Sequence, residues 1–140
     1  MHATPSILDR VFDHEAERRT QIFLSQPVGG GVVIDLTWGE AVDQARRMAA
    51  HLQSLGFAPG SRIAILSKNC AHFIVAELAI WIAGYTTVAI FPTEPAATVR
   101  YVLEHSEASL LFIGKLDKGA AKASAVPAGL PCIEIGRAHV

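Results

Sequence analysis

The chain is expected to fold as an α/β protein, a parallel β-α-β-α-β layer preceded by a helix, a hairpin and an amphipathic helix. Three short apolar, partly β-branched runs carry that expectation: Arg62-Ile-Ala-Ile-Leu-Ser67, Thr86-Thr-Val-Ala-Ile-Phe91 and Leu110-Leu-Phe-Ile113. Segments of helical period lie between them. Strands that alternate with helices build a parallel sheet covered on its faces, and strands buried on both faces read as continuous apolar runs. Such a sheet is a scaffold. Its chemistry is carried on loops and partner segments.

The elements that precede the sheet follow from local pattern. Ser6 to Arg18 reads as an amphipathic helix with Ile7, Leu8, Val11 and Phe12 on one face, and Glu15 stands four residues before Arg19. Gln21-Ile-Phe-Leu24 and Val32-Val-Ile34 flank Gly29-Gly30-Gly31 and predict a β-hairpin. No helix follows those glycines, so no helix N-terminus points at an anion, and a phosphate cradle is disfavoured. Thr37-Trp-Gly-Glu40 is a capping box, in which each end satisfies the other's backbone N–H. The helix it opens carries Ala41, Ala45, Met48, Ala49, Leu52 and Leu55 on one stripe, with Asp43 and Arg47 paired on the wet side. Gly56 is the expected stop, and Pro59-Gly60 turns into the first central strand.

Within the layer, Asn69 to Ala83 is apolar almost all round, as a helix buried between layers must be, with Asn69 as its expected N-cap. Thr93 is expected to cap the next helix, with Pro95 in its first turn and Val99, Val102 and Leu103 facing inward. That helix should end near Ser106. Lys115 to Gly129 holds no convincing element, and Pro131-Cys-Ile-Glu-Ile135 opens one more strand.

Composition narrows the class. The 140 residues hold one domain or part of a larger one; 51% are hydrophobic and 18% charged, which argues against disorder. That balance is apolar for a small free-standing domain, as if one surface expected a cover. A net charge of −1 offers no electrostatic footprint for nucleic acid. The two cysteines, Cys70 and Cys132, form no C-x-x-C pair, which suits a reducing cytoplasm. Asp9, Arg10 and Asp13 interrupt any signal-peptide core. Phe73 to Phe91 is nineteen residues with one charge, Glu77. Burying that carboxylate in hydrocarbon would cost roughly 2.5–3.5 kcal/mol, and Gly84 then breaks the run. A buried helix followed by a buried strand is the better reading.

A search for chemistry finds no constellation. No Gly-x-Gly-x-x-Gly, Walker-type loop, Gly-x-Ser-x-Gly elbow or His-Glu-x-x-His is present. The six histidines (2, 14, 51, 72, 105, 139) include no pair at i,i+3 or i,i+4. His105, Ser106 and Glu107 are adjacent and cannot converge as a triad. Ser67-Lys68-Asn69 is the best-placed loop, at the carboxyl end of a strand, where Lys68 could meet an anion or simply stand solvated beside an N-cap. Glu77 is either the partner of a buried cation or a carboxylate at a face covered by further chain. No catalytic, cofactor-binding or metal residue is assigned.

Five stretches in order carry a resemblance. They are Thr37-Trp-Gly-Glu40, Leu55-Gly-Phe-Ala-Pro-Gly-Ser-Arg-Ile-Ala-Ile-Leu-Ser-Lys-Asn69, Leu78-Ala-Ile-Trp-Ile-Ala-Gly84, Ile90-Phe-Pro-Thr93 and Val99-Arg-Tyr-Val-Leu-Glu-His-Ser-Glu-Ala108. Together they resemble the N-terminal quarter of the AMP-dependent synthetase and ligase superfamily, over about residues 5 to 134. Ser67-Lys-Asn-Cys-Ala71 and Leu111-Phe-Ile-Gly-Lys-Leu-Asp117 are most similar to bacterial long-chain fatty acid–CoA ligases. His72-Phe73, Ala89 and Phe91 depart from the common pattern at packing or loop-entry positions. The resemblance implies part of a large adenylating domain in a cytoplasmic, membrane-peripheral or homodimeric parent enzyme. That enzyme would use ATP and magnesium to turn a fatty acid into an acyl-adenylate, which coenzyme A then attacks. Family members supply the phosphate charge with a Ser/Thr/Gly-rich loop ending in lysine, an acidic ribose-binding residue and a C-terminal lysine. None of these motifs occurs here, so the chain alone is expected to be inactive.

The final six residues, Ile135-Gly-Arg-Ala-His-Val140, match the translation of a widely used short-read sequencing adapter. The expected organisation is therefore residues 1–134 as an incomplete AMP-binding domain and residues 135–140 as read-through. Two other classes stay open at this point: a stand-alone α/β binding module, and a small membrane protein.

Overall fold

The computed structural model describes residues 4–116 and 125–136. In chain order these form α1 (Ile7–Glu17), β1 (Ile22–Gly29), β2 (Val32–Thr37), α2 (Trp38–Ser54), β3 (Arg62–Leu66), α3 (Ala71–Ile82), β4 (Thr86–Ile90), α4 (Ala96–His105), β5 (Leu110–Ile113) and β6 (Cys132–Glu134). β1 and β2 pair antiparallel as a separate hairpin, and the other four strands form one sheet in the order β4-β3-β5-β6. All three pairings in that sheet are parallel. The expected α/β layer is present, with β6 added at its edge.

Period-two alternation divides the core. Ile63 and Ile65 of β3, with Leu110 and Phe112 of β5, face α1, α2 and α3. Ala64 and Leu66, with Leu111, face Val99 and Leu103 of α4. Residues 63–66 are fully buried, because helices cover both faces of the central strand. The connection from β3 runs out to β4, and the one from β4 crosses back over β3 to β5. Right-handed crossovers in opposite directions put their helices on opposite faces, where α3 and α4 lie.

The N-terminal elements are fastened to this layer by packing and caps. Both capping boxes form: Ser6 with Asp9 starts α1, and Thr37 with Glu40 starts α2. Trp38 lies between the His14 ring at 4.8 Å and the Phe23 ring at 3.8 Å. Arg46 reaches back from α2 to Glu15 at 2.7 Å and lies over the Phe12 ring. Gly39 has no side chain for a reason of space: its N–H donates to the Arg19 carbonyl at 3.0 Å, and a Cβ would stand 2.7 Å from Arg19 Cγ. Thr37→Ala is expected to lower stability by about 1 kcal/mol. A fall in urea midpoint with an unchanged slope would register it; an unmoved midpoint would mean that water replaces the hydroxyl at no cost.

Several expectations are corrected. Cys70, not Asn69, is the N-cap of α3, and it makes no side-chain cap bond. Pro95, not Thr93, is the N-cap of α4. A proline disfavours helical backbone in the residue before it, so the helix cannot reach back towards Thr93. Leu55 is the C-cap of α2 and is 42% exposed rather than continuing the buried stripe. The apolar run from Phe73 to Phe91 divides into α3 and β4 as expected, although β4 is only partly buried, and among the described residues no helix is long and apolar enough to cross a membrane. Of the looser segment from Lys115 to Gly129, residues 117–124 lie outside the described residues, while Ala125 is buried in the α4-side core. Of the adapter-like end, Ile135 donates its N–H to the Ile113 carbonyl at 2.9 Å and packs on the core; residues 137–140 lie outside the described residues.

Candidate functional site

The strand order reverses between β3 and β5, the connection from β3 running to one side and the one from β4 returning to the other. Open α/β sheets bind ligands outside the carboxyl ends of strands at such a switch point. A cleft of about 330 Å³ opens there, between Gln26 and Pro27 of the hairpin, Cys70 and His72 at the start of α3, and Gly114 and Lys115 after β5. A second cleft of about 330 Å³ lies on the other side of Gln26, against Leu24, Asn69, Phe73 and Ile74. A third, of about 270 Å³, separates Lys68 and Phe73 from Phe91 and Thr93 at the end of β4.

Backbone hydrogen bonds knit the switch-point loops. Ser67, 2% exposed, donates its hydroxyl to the Lys68 carbonyl at 2.8 Å and accepts the Lys115 N–H at 3.2 Å. The Lys68 N–H donates to the Lys115 carbonyl at 2.8 Å. The loops meet only because residue 114 is glycine: a Cβ there would overlap Ser67 Oγ and lie 2.6 Å from Ser67 Cβ. The two shorter bonds of the Ser67 hydroxyl go to main-chain groups and a longer one, at 3.8 Å, to Cys70 Sγ, which makes it a structural tie.

The start of α3 is closed by the chain itself. Gln26 Oε1 accepts the Ala71 N–H at 2.7 Å, supplying from the hairpin the cap that Cys70 does not. That N–H is therefore committed, which weakens the reading of Lys68 beside an anion-binding helix start. Gln26 was not singled out by sequence reasoning. Its one signal is a polar residue in the inward-facing register of β1, where Leu24, Leu24's partner Leu36 and Gln26's own partner Ile34 are apolar and half-buried. No spacing rule links it to Ala71, 45 residues away.

The remaining candidates are structural. Gly29, Gly30 and Gly31 all take positive φ at the hairpin tip, and β2 follows them directly. His105 stacks on Tyr101 at 5.3 Å, while the Ser106 carbonyl accepts Arg62 Nε at 2.7 Å, at the edge of the sheet opposite the clefts. His2 and His139 lie outside the described residues. Among the described residues no group of three or more His, Cys, Asp or Glu could hold a metal ion.

Glu77 on α3 shows what this arrangement costs. Burial pushes its carboxyl above the ordinary range. The folded state thus holds the Glu77 proton more tightly than the unfolded chain, and stability falls as pH rises from about 4.3 through the raised folded value. Glu77→Gln is expected to raise the melting temperature slightly at pH 7, by less than about 0.5 kcal/mol in stability since the group is partly solvated. The gain should vanish near pH 4. A Gln variant that is less stable at pH 7 would show instead that the carboxylate has a favourable partner.

A family profile described as AMP-binding enzyme matches residues 17–137. The long-chain-fatty-acid–CoA ligase FadD15 of Mycobacterium bovis is 33% identical over 123 residues, which cover 88% of this chain and 20% of that protein. The solved structure of IdnL1 superposes with a TM-score of 0.83 at 18% identity, covering 98% of this chain and 27% of that one. A fatty acyl-adenylate ligase from L. pneumophila, solved with acyl adenylate and pyrophosphate, gives 0.76 at 19% identity over 94% of this chain and 23% of its own. The chain spans about a fifth of the length of the curated relative it matches. The two superpositions show the same fold over nearly all of this chain, and with a profile match across most of its length the chain belongs to the AMP-binding enzyme family.

Proposed function

We propose that the chain is the N-terminal portion of an acyl-CoA ligase that activates a long-chain fatty acid. In the whole enzyme a fatty carboxylate oxygen would attack the α-phosphorus of ATP, expelling pyrophosphate. The CoA sulfur would then attack the acyl carbonyl and expel AMP. The observation that carries this reading is the 33% identity to FadD15 along 88% of the chain, within an AMP-binding profile match.

The residues present do not fit ATP and magnesium by themselves. Among the described residues there is no acidic cluster for a divalent cation, and the first N–H of α3 is held by Gln26. No step is therefore assigned to this chain's side chains; its role is to build one sheet layer of the adenylating domain. Fatty acid, ATP and CoA would meet on segments outside it.

ATP–pyrophosphate exchange with a fatty acid is expected to give no turnover with the chain alone. The gene extended in frame is expected to encode several hundred further residues, including a Ser/Thr/Gly-rich loop ending in lysine, and that product should exchange. Turnover by the 140-residue chain, or a stop codon directly after Val140 in a compact, active monomer, would overturn the proposal.

A further inference from the structure

The two halves of the hairpin are held very differently. Near its base, Phe23, Leu24 and Leu36 pack on the core, and the Trp38 N–H donates to the Gln21 carbonyl at 3.0 Å. The distal half, from Gln26 to Ile34, exposes Val28, Val32 and Val33 at 40%, 55% and 53%. There the Gln26 side chain reaches the sheet layer, accepting the Ala71 N–H at 2.7 Å. Register shifts in β1 at Ile22/Leu24 and at Pro27/Gly29 lie on either side of Gln26 and loosen the ladder there.

Gln26, Pro27 and Cys70 also line both clefts of about 330 Å³. The hydrogen bond therefore stands as the partition between them. We propose that the distal half of the β1–β2 hairpin is a strap, latched to the start of α3 by Gln26, whose release joins the two flanking clefts into one. The latch is light, a single hydrogen bond accepted by a neutral side chain. Opening breaks no part of the four-stranded sheet, whose strands pair among themselves.

Cys70 is half-buried at this partition and reports on it. In the full chain carrying Cys132→Ser, the rate of Cys70 modification by a small thiol reagent measures strap opening. Gln26→Met keeps the length and removes the acceptor; Gln26→Glu keeps an acceptor. The Met variant is expected to label Cys70 about 3- to 10-fold faster and to lose hydrogen-exchange protection at the Ala71 amide. The β3 and β5 amides should stay protected, and the Glu variant should label at the parental rate. Equal labelling in all three proteins would overturn the strap. So would a Met variant in which β3 and β5 lose protection together with Ala71, since the bond would then hold the fold rather than a movable part.

Discussion

Gly114→Ala is expected to cost about 2–3 kcal/mol, at the upper end of what one inserted methyl group removes from a packed interior. The new Cβ would lie 2.6 Å from Ser67 Cβ and overlap its hydroxyl oxygen. Ser67 cannot swing aside freely, since its residue is 2% exposed and its hydroxyl ties Lys68 to Lys115. Either the end of β5 moves away from β3 or both of those bonds are lost. Gly39→Ala makes a useful contrast, because its nearest obstacles, Arg19 Cγ at 2.7 Å and the Arg19 carbonyl at 3.2 Å, stand farther off than those at Gly114, and it should cost less. Removing the obstacle in Ser67→Gly should restore part of the loss, so that the double variant is more stable than the sum of the single losses by over about 1 kcal/mol. Additive losses in denaturant titrations would mean that the clash is relieved elsewhere.

Phe112→Ala is expected to be the most damaging single change, at about 3–5 kcal/mol. Phe112 is fully buried on β5, between β3 and β6, and packs in the same cluster as Ile63 and Ile65. Truncation removes the transfer free energy of the ring and leaves a void that two flanking strands prevent from collapsing. A loss of this size is a large share of a domain's ~5–15 kcal/mol. Phe112→Leu should cost less than about 2 kcal/mol because most of the volume is kept. Phe91→Ala, at a ring that is 73% exposed, should stay within about 0.5 kcal/mol. A chain that tolerates Phe112→Ala as well as Phe91→Ala in thermal melts would contradict the layered core.

The fold was legible in sequence wherever one short-range rule decides. Strands β3 and β5 stood out because a strand buried on both faces has no polar alternation, and β4, at the sheet edge, by its β-branched Thr86, Thr87 and Val88. The Thr37–Glu40 capping box was legible because both partners sit within one turn. The caps of α3 and α4 were misplaced because distant or neighbouring chain decides them. Gln26 arrives at α3 from the hairpin, and Pro95 restricts the backbone ahead of α4. The candidate site was legible only as a position, the loop after β3. The ties that shape it, Ser67 to Lys115 and Gln26 to Ala71, join residues 48 and 45 apart. Nothing in local periodicity encodes them.

The strand order has a consequence during synthesis. β3 reaches its second neighbour only when β5 has emerged, although β4 lies between them in the chain. At roughly 5–20 residues per second the ribosome needs several seconds to deliver it. Throughout that interval the innermost strand of the finished protein is an uncovered edge with a row of vacant N–H and C=O groups, and a nascent polypeptide paused there would be a natural client for chaperones.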